Sequence, residues 1–193
     1  MTALDPDTET MLRAKAGDVG AFTRLVERFV RPLAAFFHRL GADRSTAEDC
    51  AQEVFLKVFR SRASYEPRAR FSTYLFSIAR HHWIDVVRHR AAGPTTVSSD
   101  AAADGDRPPS DRFAAAPGAA PGPEHAELAD ALRRAVEALS PEQREVFALV
   151  RGEGLGYAEI AVILGIPVGT VKSRVHAVMG VLRDRLRAEG FEP

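Results

Sequence analysis

Apolar residues recur at spacings of three and four along most of this chain, and no segment alternates with period two for long enough to suggest a sheet. Phe22, Leu25, Val26, Phe29, Leu33, Phe36, Phe37 and Leu40 trace one stripe. It predicts a long helix opened by Asp18, bent at Pro32 and stopped by Gly41. A second stripe follows Ser45, with Ala47, Cys50, Ala51, Val54, Phe55, Val58 and Phe59 turned inward and Asp49, Gln52, Glu53 and Arg60 outward. A third helix is predicted after Ser72, with Leu75, Phe76, Ile78, Ala79, Trp83, Val86 and Val87 apolar and Ser77, His81, Asp85 and Arg88 as a polar stripe.

The pattern resumes nearer the C-terminus. Leu128, Leu132, Ala135, Val136 and Leu139 mark a helix, and Ser140, Pro141 and Gln143 form a capping-box start for the next, which holds Val146, Phe147 and Val150. The glycines of RGEGLGY end it. A short helix from Tyr157 to Leu164, a tight turn at Gly165 and a last helix from about Val168 to Arg187 complete the series.

Between the two groups the periodicity stops. Residues 91–123 turn to Ala, Gly, Pro, Ser and Asp, a composition that buries little and whose prolines interrupt helices, so this stretch reads as a flexible linker that spans about 30 Å as a coil. The expected fold is all-α: two small helical domains, 1–90 and 124–193, on a tether.

Composition adds exclusions. With 193 residues and 46% hydrophobic content the chain can bury a core in each domain. Its longest apolar runs fall short of the ~20 residues of a membrane span, and MTALDPDTET lacks the order of a secretory signal, so no membrane insertion and a cytoplasmic location are expected. Cys50 is alone, which removes intramolecular disulfides and thiolate zinc sites and leaves a packed thiol. His81, His82 and His89 show no metal-ligand spacing, so no metal is expected. No P-loop or nucleophile-base pattern is present, so no cofactor and no catalytic activity are expected.

Net charge is zero, but its distribution is uneven. Arg60, Arg62, Arg68, Arg70, Arg80, Arg88 and Arg90 face only Glu66 and Asp85 in their segment, and Lys172, Arg174, Arg183, Arg185 and Arg187 face only Asp184 in theirs. Two basic patches in a neutral chain are either solvated faces or nucleic-acid surfaces. The second falls on a helix-turn-helix pattern. Ala158, Ile160, Ala161, Leu164, Ile166, Val171 and Val175 are placed to lock its helices, which leaves Thr170, Lys172, Ser173, Arg174 and His176 for groove edges or phosphates.

At this point a family emerges. LSPEQREVFALVRGEGLGYAEIAVILGIPVGTVKSRVH resembles the promoter -35-binding region 4 of sigma-70 family factors of the extracytoplasmic-function (ECF) group, and AEDCAQEVFLKVFRSRASYEPRARFSTYLFSIARHHWIDVVRHR resembles that group's region 2. The resemblance implies an RNA polymerase sigma factor. Its partners would be core RNA polymerase, promoter DNA and an anti-sigma protein. Asp49, Gln52 and Glu53 would dock on the polymerase. The loop from Tyr65 to Thr73 is similar to the one that receives a base flipped from the -10 strand: Arg68 and Arg70 suit phosphates, Phe71 offers a ring, and Ser72 and Thr73 suit a base edge. Ser72 is equally placed to cap the next helix. Arg80, His81, Asp85 and Arg88 would track the strand, and Trp83 is either a stacking wedge or core.

Two departures from the family stand out. Ala177, Val178 and Met179 replace a stretch that commonly carries two more cations, and His81 replaces a usual Asn. The first supports a rival reading, a sigma-like regulatory protein that competes for polymerase or anti-sigma factor without productive promoter recognition. A simple repressor with the same helix-turn-helix leaves the first domain unexplained.

Overall fold

The computed structural model describes residues 4–92, 123–152 and 154–191, and among them all regular structure is helical. The expected tether over 91–123 lies, apart from its ends, outside the described residues. The first helix, α1 (Pro6–Lys15), has no counterpart in the periodicity reading. Asp5 caps it by accepting from the amides of Asp7 and Thr8, and Pro6 stands where a missing N–H costs nothing. α2 (Val19–Arg39) opens on the Asp18 carboxylate, which accepts from the Ala21 amide at 2.9 Å, and continues through Pro32 without a break.

α3 (Arg44–Ser61) starts two residues earlier than Ser45 suggests. Its cap is Asp43, which takes both the amide and the hydroxyl of Thr46, at 2.9 and 2.7 Å. Its expected inward stripe is buried except for Phe59, which is half-exposed beneath the Arg62 guanidinium at 3.9 Å. A short 3-10 turn (Arg62–Ser64) and an exposed loop lead to α4 (Phe71–Ala91). Edge-to-face aromatic pairs hold α4 on α2: Phe29 with Phe71 at 5.5 Å and Phe36 with Phe76 at 5.4 Å. Trp83 is buried beside Phe37 at 6.0 Å, so it is a core residue and not a wedge. Cys50 is buried as well, and desolvation raises its thiol pKa.

The second group follows the sequence closely. It comprises α5 (Pro123–Glu137), α6 (Pro141–Val150), α7 (Tyr157–Leu164) and α8 (Val168–Ala188). The Ser140–Gln143 capping box is complete, at 3.2 Å from amide to hydroxyl and 3.0 Å in return. Gly165 ends α7 at φ 67° and ψ 34°, a left-handed conformation that an L side chain adopts only under strain.

The two groups are not independent bodies. α7 lies against α4 and α6 against the end of α2. A single apolar cluster runs from Met11, Phe36 and Phe76 into Leu149, Ile160 and Leu164, while Ala135, Leu139, Phe147, Val178 and Leu182 form a smaller one behind α8. At the seam, a Cβ on Gly41 would sit 3.3 Å from the Arg144 guanidinium, at a φ of +103°. Gly41 therefore both ends α2 and admits α6.

Candidate nucleic-acid interfaces

The turn between α7 and α8 changes direction by 102°, within the range of a DNA-reading helix-turn-helix. Val171, Val175, Val178 and Leu182 recur at three and four along α8 and face inward. Because that stripe is fixed by packing, the opposite side of α8 is fixed outward. Lys172, Ser173 and His176 are exposed there, Thr170 and Arg174 are half-buried at its margin, and Ser173 donates to the Thr170 carbonyl at 3.0 Å. Lys172, Arg174 and His176 make no ion pair with any described residue. The locking set holds with one exception: Ala158 is exposed. In the departure stretch, Val178 is 2% exposed and belongs to the core, whereas Met179 is 51% exposed and Ala177 points to solvent.

The loop before α4 divides its candidate residues. Arg68 is exposed and paired with Glu66 at 2.7 Å, and Arg70 is half-exposed. Phe71 is fully buried between Phe29, Tyr65 and Tyr74, so its ring is closed to a base. Ser72 does not cap α4: Arg70 occupies that position, Ser72 lies within the first turn, and its Oγ is buried without a partner among the described residues. Thr73 donates to Glu159 of α7 at 2.9 Å, with Arg70 3.6 Å from the same carboxylate. Arg80 directs two nitrogens to one Glu145 oxygen of α6, each at 3.3 Å. Farther along α4, His81, Asp85 and Arg88 are exposed. His81 Nδ1 lies 2.7 Å from the Ser77 carbonyl and must therefore carry the proton, which turns Nε2 outward.

On α3, Asp49, Gln52 and Glu53 form an exposed acidic stripe. Gln52 also lines an open depression of about 280 Å³ with Glu48 and, from α2, Val30, Arg31 and Ala34. The α2 contribution is invisible to a reading that treats each helix separately. Equally unforeseen are Glu145 and Glu159, which meet the -10 candidates, and Thr8 and Lys15 of α1, which reach the loop itself. The Asp5-Pro6 dipeptide, a cap followed by a first-turn proline, was a signal for that helix.

Residues 25–92 match the sigma-70 region 2 family and residues 129–179 match sigma-70, region 4. The chain is 33% identical to the ECF RNA polymerase sigma factor SigE of Mycolicibacterium smegmatis, over 97% of this chain and 71% of that protein. It is 32% identical to the RNA polymerase sigma factor CarQ of Myxococcus xanthus (91% and 95% covered) and 31% to the ECF RNA polymerase sigma factor SigW of Bacillus subtilis (91% and 94%). Among solved structures, the fold is shared with CnrH in complex with the cytosolic domain of CnrY, at TM-score 0.67 and 23% identity over 95% of this chain and 99% of that one. It is shared too with the sigma factor RpoE in complex with the anti-sigma factor NepR from Bartonella quintana, at TM-score 0.62 and 24% identity over 88% and 98%. Two family segments in order, on an all-helical fold, and relatives that match nearly end to end place the chain in the ECF group of sigma-70 family RNA polymerase sigma factors.

Proposed function

We propose that this chain directs core RNA polymerase to a set of promoters, docking through Asp49, Gln52 and Glu53 in residues 1–90, reading the -35 element with α8 in residues 124–193, and opening the -10 element with the loop and stripe leading into α4. The observation that carries the reading is the division of α8 into a packed valine stripe and an outward face of Thr170, Lys172, Ser173, Arg174 and His176. Lys and Arg there suit guanine edges or phosphates, and Ser and Thr donate to either. Melting needs no hydrolysis, because unstacking costs a few kcal/mol per base and a pocket that binds only the extruded base offsets it.

The -10 surface requires a further step. Thr73 and Arg80 are engaged by Glu159 and Glu145, so the described arrangement is a closed form in which carboxylates occupy positions suited to DNA phosphates. Promoter opening then follows separation of α6 and α7 from α4. An anti-sigma protein is the expected partner of the closed or separated modules; among the structural relatives, RpoE is in complex with the anti-sigma factor NepR.

Transcription by core polymerase plus this protein on a genomic library tests the reading, and the absence of any promoter-specific transcript that depends on the protein would refute it. Lys172→Ala should lower -35-dependent transcription and leave polymerase affinity intact; an equal loss of both would contradict the assignment. The competing reading, a sigma-like competitor, draws on Ala177, Val178 and Met179 and on the covered -10 residues. Binding of fluorescent duplexes separates the two, since a competitor's holoenzyme shows no sequence preference.

A further inference from the structure

The loop that carries Arg68 and Arg70 is held at both ends by α1, a helix outside both matched family segments. At its start, the Lys15 ammonium donates to the Tyr65 carbonyl at 2.8 Å. At its end, the Phe71 amide donates to Thr8 Oγ1 at 3.0 Å, a buried bond between residues 63 apart in sequence. That bond has a particular task. Phe71 is the first residue of α4, its N–H is one of the orphan donors of a helix start, and Arg70 at the cap position offers no side-chain acceptor. Thr8 supplies the missing cap from another helix.

Thr8 is fixed in turn. Its hydroxyl donates to the Asp5 carboxylate, so its lone pairs face the Phe71 amide. α1 is anchored on α2 by Asp7, whose carboxylate meets the Arg28 guanidinium at 2.8 Å, and by the fully buried Met11. Between Tyr65 and Phe71 every residue is exposed, with Arg68 and Arg70 among them. The segment is thus exposed in the middle, where Arg68 pairs with Glu66 and Arg70 lies 3.6 Å from Glu159, and clamped by α1 at its ends.

We infer that α1 is a positioning element for -10 recognition: Thr8 and Lys15 set the conformation of the 65–71 loop and so its selectivity for the extruded base. This rests on the proposed role of that loop. Loss of either clamp leaves the loop able to bind a strand electrostatically but less able to prefer one base over another.

The test uses full-length chain bound to core RNA polymerase and single-stranded DNA. The probes are the non-template -10 strand of a promoter recovered in the library transcription, and the same strand with each -10 base changed in turn. Wild type is expected to discriminate between them. Thr8→Val, which keeps the shape and removes the acceptor, should lower that discrimination about tenfold, the fold-change of one lost buried hydrogen bond. Thr8→Ser should retain it, Lys15→Met should lower it severalfold, and polymerase affinity and -35 duplex affinity should not move. A merely structural role lowers the active fraction and weakens all strands equally. Unchanged discrimination in both Thr8→Val and Lys15→Met therefore overturns the inference even where overall activity falls. Absence of discrimination in wild type would instead remove the base-reading role of the loop, and the inference with it.

Discussion

Replacing Glu145 and Glu159 together by glutamine should raise the affinity of the polymerase-free chain for single-stranded -10 DNA by about thirtyfold. The Arg80 and Glu145 side chains are only 21% and 19% exposed, at 3.3 Å. Their Coulomb attraction at an effective dielectric of 20 is about 5 kcal/mol. Desolvation of both groups opposes most of that, leaving about 1 kcal/mol that favours closure. The Thr73–Glu159 bond has a charged acceptor and contributes about 1.5–3 kcal/mol, of which a neutral glutamine retains about 1. The half-exposed Arg70 adds little. Together the two substitutions remove about 2 kcal/mol from the closed form, or thirtyfold in its equilibrium constant. Apparent affinity scales with the fraction of chains whose binding surface is open, so that factor passes into the dissociation constant while the closed form dominates.

Glutamine is the appropriate replacement at position 159. Glu159 also accepts from the Gly156 amide at 2.8 Å as the capping-box partner of α7, and glutamine fills that place equally well. The assay is fluorescence anisotropy of a labelled single strand titrated with chain alone. Removal of two negative charges strengthens binding to any polyanion, so the comparison is Glu27→Gln with Glu127→Gln, an equal change of charge at exposed positions outside α4, α6 and α7. If the Glu145/Glu159 variant binds no tighter than that control, the carboxylates do not hold the -10 surface closed.

Two further outcomes follow from residues already placed. Arginine at 177 and at 178 should have opposite effects: Ala177→Arg adds a cation on the exposed side of α8 proposed to meet DNA and should steepen the salt dependence of duplex binding by about one counterion, whereas Val178→Arg buries a charge among Leu139, Phe147 and Leu182 and lowers stability by about 3 kcal/mol, read by thermal unfolding. Asp43→Ala should cost about 1 kcal/mol at pH 7 in urea unfolding through loss of the α3 cap. The Thr46 amide and hydroxyl hold the Asp43 carboxyl below its ordinary range, so its stabilisation is complete above about pH 4 and is lost as pH falls through the lower folded value; the difference between Asp43→Ala and wild type should close on acidification.

The elements legible in the sequence are those whose boundaries are written locally. α6 and α7 begin and end where Ser140, Gln143, Gly156 and Gly165 place them, because a capping box and a left-handed glycine act within a few residues. The outward face of α8 is legible in part for a similar reason, since Val171 and Val175 at helical spacing determine which side is left over, whereas Val178, read as standing where a cation is missing, continues the inward stripe to Leu182. Ser45 and Ser72 misled because each stands just inside a true helix start. Asp43 outcompeted the first as an acceptor, and the second lost the role to the Thr8 hydroxyl, 63 residues before the Phe71 amide it accepts from, which no local rule can find. α1 was missed because ten residues with four buried positions give a weak period.

Glu159 shows why the closed contact was beyond a local reading. A carboxylate has two oxygens. One of them obeys the capping rule that the sequence announces, a residue three places after Gly156 accepting from its amide. The other accepts from Thr73, 86 residues away in sequence. Local chemistry accounts for the residue completely at the level of pattern, so nothing signals that half of its bonding capacity is still unused. The same holds for Thr73 and Arg80, whose residue types suit phosphate or base edges whether or not a carboxylate reaches them first. A reading by modules adds two DNA surfaces together. The structure bears on both proposed surfaces at once, because α6 and α7, which pack with the proposed -35 helix α8, supply the carboxylates that meet the proposed -10 residues Thr73 and Arg80. A promoter bound by both surfaces would then have to compete with this contact, and selectivity would depend on the strength of the chain's own closure as well as on its fit to DNA.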